Sequence, residues 1–592
     1  VGTDILTRSV DQARSGSNTA ETVLTPAAVR TRGVKVLRTL HADDPRLEAQ
    51  PLYVSGITVA GQRRGVIYQA TMGNTVYAWD IGTGETLWQR RLGMPINGSQ
   101  DIDAHNINLK WGILSTPCID RAAGILYACA WISPDHSGKW QTGRHVLAAL
   151  DLVTGEFKHP LLSLEDATYD PGHGLPVQHF KSAERKQRAA LAMVDGAVIV
   201  AFGTIYETAK TARGWLIAVD MASWSIAATW CSTARGSGGG IWMSGAGPAI
   251  QGDGSIWVVT GNGEYDGQTD WGESVVRLRY KPPADAAKGS LTVTGWWTPW
   301  TDDARTGEHL ARDPALAAMA ASLPKASNFR LVPHLARLGI HPMHMGGAWG
   351  DQDLGASGIV LIESLGIGLV SSKDGILYTV DLAHPGDTTP ADLTKAKAAA
   401  NYAKLAAPPI LYTYYDPSVD PATPDPANLN KLPQNRTHHL HGTPVAWHSA
   451  AHGTMHFCGG ENGNLRAWTA TPGKSAYLGC SSAWASAEAP APPGGMPGWS
   501  ISLSANGERE GILWSMIPYG DANMNATNGR LLAYDAASLG RYADGSGELV
   551  PLWDSQDWNW NFLHPKFNRT IAVDGKVIMP TYDGRVLVLG LA

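Results

Sequence analysis

GNTVYAWDIGTGETLW, Gly73 to Trp88, carries alternating apolar residues into an Asp, turns on Thr-Gly, and opens a second strand that ends in Trp. Period-two alternation bounded by Gly and Asp marks a β-hairpin rather than a helix. The same shape returns, with decay, in HVLAALDLVTG (145–155), GWLIAVDMASWSIAATW (214–230), GILYTVDLAHPG (375–386), GNLRAWTATPG (463–473) and GRLLAYDAASLG (529–540). Another short strand pattern precedes each, such as GAVIVAFG or GIGLVSSKDG. In the ideal unit the Asp and Thr-Gly turn the chain between the two outer strands, and the terminal Trp packs between neighbouring sheets. The stretch from Trp242 to Asn262 and the C-terminal GKVIMPTYDGRVLVLGLA bring the number of units to about eight. One such sheet cannot bury both its faces, and four-stranded sheets set around a channel are the architecture that solves this. The expected fold is all-β, an eight-bladed β-propeller forming a single domain over residues 1–592. Two partly helical insertions, at about 300–345 and 384–434, are expected to lie over one face of the ring and form a lid or surface decoration.

Composition agrees. The chain has 592 residues with 23 Trp and 66 Gly, the pairing of bulky rings with turn residues that hairpins burying a Trp produce. A net charge of -6 provides no basic field for nucleic acid and no polybasic patch for a membrane surface. No apolar run reaches the roughly 18 residues of a membrane span. The chain opens at Val1 rather than Met, as a processed form would. Five cysteines lack any Cys-x-x-Cys spacing for zinc or iron–sulfur, and the absence of Cys-x-x-Cys-His excludes a covalently attached c-type haem.

The Asp-x-x-Thr-Gly-x-x-x-Trp unit resembles the blade repeat of the pyrroloquinoline quinone (PQQ) dehydrogenases, eight-bladed quinoproteins, and the likeness extends over most of the chain. The opening DQARSGSNTAETVLTPAAV, followed by AQPLYV, is also similar to bacterial PQQ-like repeat proteins, many of which have no assigned activity. The resemblance implies a site residue by residue. Gly238-Gly239-Gly240-Ile241-Trp242 stands where the family has a Gly-rich segment and the indole beneath the quinone, so Gly239, Gly240 and Trp242 would bind the cofactor. Glycines let backbone approach a flat ring, and an indole face is a rigid stacking platform. Gly261-Asn262-Gly263 matches the family's metal-ligating asparagine, whose amide oxygen suits calcium. Glu207 precedes Arg213-Gly214, where the family places a carboxylate on the metal, although the gap is slightly longer here. Asp351 and Asp353 resemble the Trp-Asp-x-Asp pair, with one extra residue after Trp349. Asp351 would be the base that takes the hydroxyl proton and would also face the metal. Asp353, if it faces the metal, corresponds to the acid associated with lanthanides in the family. Lys373 corresponds to the cation that stabilises charge developing on the quinone oxygen. Two features depart from the pattern. The family's adjacent cysteines, which lie over the quinone, are represented by Cys129 alone, followed by Ala130, so Cys129 is the one cofactor-binding position carried over there; the arginine that binds a quinone carboxylate is missing from that segment, where Lys139 and His136 are the polar residues available. The implied activity is oxidation of an alcohol, polyol or sugar hydroxyl, with electrons passing to an external acceptor such as a cytochrome, in a periplasmic or secreted protein.

The histidines suggest a different chemistry. HPMHM (341–345) and NRTHHLHGTPVAWHSAAHGTMHFCGG (435–460) concentrate imidazoles and thioethers, a ligand set suited to copper. His439 and His441, at i and i+2, face one side of a strand, and His344 approaches from the insertion. No carboxylate is evident beside them in sequence. A third reading, a non-catalytic binding scaffold, needs no polar cluster at the mouth of the ring.

Overall fold

The computed structural model describes residues 3–592 except 104, 208, 285–287, 299–352, 372, 374–376, 386–438, 462, 472–473, 485–495, 542–546 and 559–560. Asp351, His344 and, apart from His384 and Pro385, the expected insertions lie outside the described residues.

Consecutive hairpins form antiparallel sheets spanning 52–91, 118–163, 192–231, 249–297, 359–381, 445–484 and 500–554, here called blades one to seven. Blade five has three strands among the described residues, and the others have four in their main ladder. Blade eight is composite: Ile571–Val573, Lys576–Pro580 and Arg585–Leu591 come from the C-terminus, and Val34–His41 pairs on their outer edge. Joining the two ends of the chain in one sheet closes the ring. Apolar layers lie between successive blades all the way round, from the layer of Val54, Val76, Leu126 and Leu150 between blades one and two to that of Tyr53, Trp79, Ile578 and Val588 between blades eight and one. The structure is therefore the eight-bladed propeller that the repeat predicts.

The repeat residues do what their chemistry suggests. Asp80 Oδ1 accepts the N–H groups of Gly82 at 2.7 Å and Thr83 at 2.8 Å, which fixes the turn between the outer strands. Asp151, Asp220, Asp381 and Asp535 make the equivalent bonds. Trp88 crosses to blade two, where its Nε1 donates to Leu152 O at 3.0 Å. A Cβ on Gly155 would lie 2.5 Å from that indole, so the Gly of one blade's turn is needed by the Trp of the previous blade. Blades six and seven are further joined where Lys474–Trp484 runs parallel to Gly547–Asp554, pairing Gly479 with Gly547.

The N-terminal segment ties the inner strands together. From residue 5 to 18 it bonds in turn to Tyr53, Ile119, Met193, Ile250, Leu361, Ala446, Leu503 and Ala572, one residue from each blade. Arg14 is its hub: Nε and Nη2 donate to Pro248 O at 3.0 and 2.7 Å, Nη2 also to Leu191 O, and Nη1 to Thr7 Oγ1 and Arg8 O.

Three histidines belong to the core. His145 stacks on Trp131 at 5.1 Å and His456 on Trp468 at 5.2 Å, while His564 is fully buried. Burial pushes all three down to a pKa of about 3. Between pH 6.5 and 3 the unfolded chain binds these protons and the folded chain does not, so their contribution to stability is lost as pH falls through that window. The unfolding midpoint is expected to drop across it, and His145→Phe is expected to reduce proton uptake on unfolding by about one. An unchanged pH slope in the variant would refute the assignment for His145.

Candidate functional site

The loops leading into the inner strands converge at one end of the channel. In blade four the loop is held by backbone-to-backbone packing. Gly239 has φ +67°, donates its N–H to Asn262 O at 2.6 Å, and accepts from Ser232 Oγ at 2.7 Å. A Cβ on Gly263 would come within 2.3 Å of Gly239 N, and one on Gly214 within 2.2 Å of Gly239 O. Gly240, by contrast, would have its nearest neighbours at 3.5 Å, an ordinary contact. The close approach that the sequence assigns to a flat ring is thus, at Gly239, an approach of backbone to backbone that sets Asn262 beside the channel.

Asn262 joins the predicted residues of three blades. Its N–H donates to Asp353 Oδ1 at 2.9 Å and its Oδ1 accepts the Asp353 N–H at 3.1 Å. Its Nδ2 donates to Glu207 Oε2 at 3.3 Å. Lys373 Nζ pairs with Asp353 Oδ2 at 2.7 Å and lies 5.6 Å from the centroid of the half-buried Trp242 ring. Glu207, Trp242, Asn262, Asp353 and Lys373 therefore form one constellation. Cys129 is not part of it. That thiol sits in the apolar layer between blades two and three with Leu147, Phe180 and Phe202, where burial pushes its pKa up.

On the other side of Trp242 stand the histidines. The His441 ring lies 5.8 Å from Trp242 and 5.6 Å from His439. Glu461 supplies the carboxylate that the sequence does not reveal: its Oε1 is 3.2 Å from His441 Nε2 and its Oε2 is 3.6 Å from His439 Nδ1. One ligand atom from each of the three falls within 4.8 Å of the others, a grouping able to close around a metal ion. Residues 439–441 are not in a strand, so the two rings meet through the loop rather than through strand alternation.

A third group was not foreseen. Lys139 and His136 are exposed, and among the described residues Lys186, Arg188 and Lys566 bring further positive charge beside Trp111 and Phe567 at the channel mouth. Lys186 Nζ lies 4.8 Å over Trp111, and the Arg188 guanidinium 4.9 Å over Phe567, whose ring also packs edge-on to Trp242. Arg188 pairs with the buried Glu48, which also accepts from Asn108 Nδ2 at 3.0 Å and from Tyr582. Burial, reinforced by Arg188, lowers Lys566 to a pKa of about 7. Lys566 therefore loses its charge as pH rises through about 7 in the folded chain, while the unfolded chain keeps it to about 10.5. The stability cost of burying that charge is present below pH 7 and is relieved above it. Affinity for an aromatic polycarboxylate such as trimesate is expected to fall by up to about tenfold per pH unit above 7. Calorimetric titration at pH 6 and 8 checks this, and a Lys566→Met variant with the same pH dependence as the parent would contradict it.

No protein-family model and no curated protein matches the chain. The comparison with solved structures places the fold with the propellers of the quinoprotein alcohol dehydrogenases. Quinohemoprotein alcohol dehydrogenase ADHIIG from Pseudomonas putida HK5 aligns with a TM-score of 0.51 at 14% identity, covering 100% of this chain and 80% of that one. The quinohemoprotein alcohol dehydrogenase from Comamonas testosteroni gives 0.51 at 13% identity with the same coverage. Among the described residues no helix is long and apolar enough to cross a membrane.

The residues present fit a planar anionic cofactor with a hard cation. Two carboxylates and an amide oxygen are the donors calcium prefers, the indole is partly open to the channel, and the three cations stand at the same mouth as Glu207, to which Lys186 is electrostatically linked.

Proposed function

We propose that this protein is a propeller oxidoreductase that binds PQQ and a calcium or lanthanide ion at the channel mouth and oxidises an alcohol, polyol or sugar hydroxyl. The observation supporting this most directly is the linkage through Asn262 of Glu207 and Asp353, with Lys373 placed between Asp353 and the Trp242 ring. Glu207, Asn262 and Asp353 hold the metal through oxygen, and Trp242 orients the cofactor with its indole face. When bound, the cofactor and metal supply a polarised carbonyl that accepts hydride. Lys373, held between Asp353 and the Trp242 ring, would supply positive charge beside the bound cofactor. Lys186, Arg188 and Lys566 take the cofactor's carboxylates. Asp351 accepts the hydroxyl proton of the substrate, electrons leave to an external acceptor such as a cytochrome, and the protein works in the periplasm or outside the cell.

Metal-stripped protein is to be titrated with PQQ with and without calcium or a lanthanide, following tryptophan quenching and then dye reduction with a panel of alcohols. Metal-dependent, stoichiometric quenching with turnover is the expected result, and absence of binding removes the proposal. A second reading is favoured by the His439, His441 and Glu461 grouping: a copper-type metal enzyme without quinone. In that case His441→Ala abolishes copper binding and activity, while Asn262→Ala leaves both in place.

A further inference from the structure

A small, partly open pocket lies between His441, Ser244 and Phe567 at the site and the N-terminal segment, which contributes Arg8. Its polar lining includes Arg8, Arg569, Ser244, Thr443 and Ser500, and no carboxylate lines it among the described residues. Arg8 and Arg569 are each 3% exposed. Arg8 donates through Nη2 to Phe567 O at 2.6 Å, and its Nε is without a partner. Arg569 reaches Thr443 O with Nη2 at 3.4 Å, and its Nε and Nη1 are without partners. Arg14, equally buried in the same segment, has all three nitrogens engaged. The charges bearing on Arg8 are those of Arg569, Arg14 and Arg188, every one a cation.

Buried guanidiniums are kept only when paired or fully hydrogen-bonded. These two are neither, and they line one cavity. We propose that the cavity binds a small inorganic oxyanion of the phosphate or sulfate kind, held between the guanidiniums of Arg8 and Arg569. Guanidinium forks match such oxygens in geometry, and the hydroxyls of Ser244 and Ser500 add donors. The anion neutralises the charge at the centre of the ring and steadies Ser244, whose Oγ lies 3.4 Å from His441 Nδ1. This site is separate from the Lys186, Arg188 and Lys566 group and does not depend on the function proposed above.

The test is calorimetric titration of exhaustively dialysed full-length protein with sodium phosphate and sodium sulfate against sodium chloride at matched ionic strength. One phosphate or sulfate per chain is expected, with an unfolding midpoint that rises with its concentration. Arg569→Met is expected to weaken binding about 10- to 100-fold, the effect of removing hydrogen bonds from a charged group. Lys566→Met is expected to bind as the parent does, and it decides the matter if the Arg569 variant fails to fold. No saturable oxyanion binding by the parent, or binding lost in Lys566→Met, overturns the inference.

Discussion

Asp353→Ala is expected to destabilise the protein by about 3–5 kcal/mol, because it removes one partner of a buried ion pair. Asp353 is 1% exposed and the Lys373 side chain 11%, so the ammonium left behind has little access to water. The same change takes away the acceptor of the Asn262 N–H. Removing both charges together in Asp353→Ala/Lys373→Met is expected to recover most of the loss, since the pair returns through mutual attraction what it spent on leaving water. Urea unfolding of the two variants separates these terms, and a single variant within about 1 kcal/mol of the parent would show that the pair is not buried in solution. Function separates them differently. If Asp353 ligates the metal, the double variant regains stability but not metal-dependent quinone binding.

The fold is legible in the sequence because its determinants are local. Asp80 bonds to Gly82 and Thr83, two and three residues away, so Asp-x-x-Thr-Gly records the turn directly. Trp88 against the turn glycine Gly155 links two adjacent units in the same way. The site is legible where one blade's loop carries several of its parts, as with Gly239, Trp242 and Asn262. It is not legible where partners come from distant loops. Glu461 follows His441 by a whole strand pair, and nothing in CGGENG marks it as a ligand rather than a turn acid. Lys186 and Arg188 carry a fainter signal, a charged i and i+2 pair immediately before an apolar inner strand, which on a surface hairpin would read as solvated. Cys129 misled because a family position was carried over to a strand residue whose side chain packs between blades. The N-terminal segment gave no periodicity at all. Its order comes from eight separate tertiary partners, and short-range pattern reading has no access to those.

That segment makes the second large effect. A propeller closed at its rim by Val34–His41 still has eight inner strands facing a channel, and residues 5 to 18 supply the bonds that join them across it. Arg14→Met keeps the apolar stem and removes the guanidinium, so the carbonyls of Arg8 and Pro248 lose their donor in a place water does not reach, and that of Leu191 keeps only Thr7 Oγ1 at 3.4 Å. Each stranded acceptor costs about 1–3 kcal/mol, and the sum is expected to be about 4 kcal/mol or more, in the range reserved for disrupted buried networks. The loss has an address as well as a size. Leu191 precedes the inner strand of blade three and Pro248 that of blade four, so native-state hydrogen exchange is expected to show protection falling first in 192–204 and 249–259. Uniform loss across all blades would mean that the segment acts on the whole ring at once and that Arg14 is no more its hub than any other residue. Local loss in blades three and four would tie the plug to the loops that carry Lys186, Arg188 and Trp242, and make the N-terminal segment the foundation on which the candidate site is built.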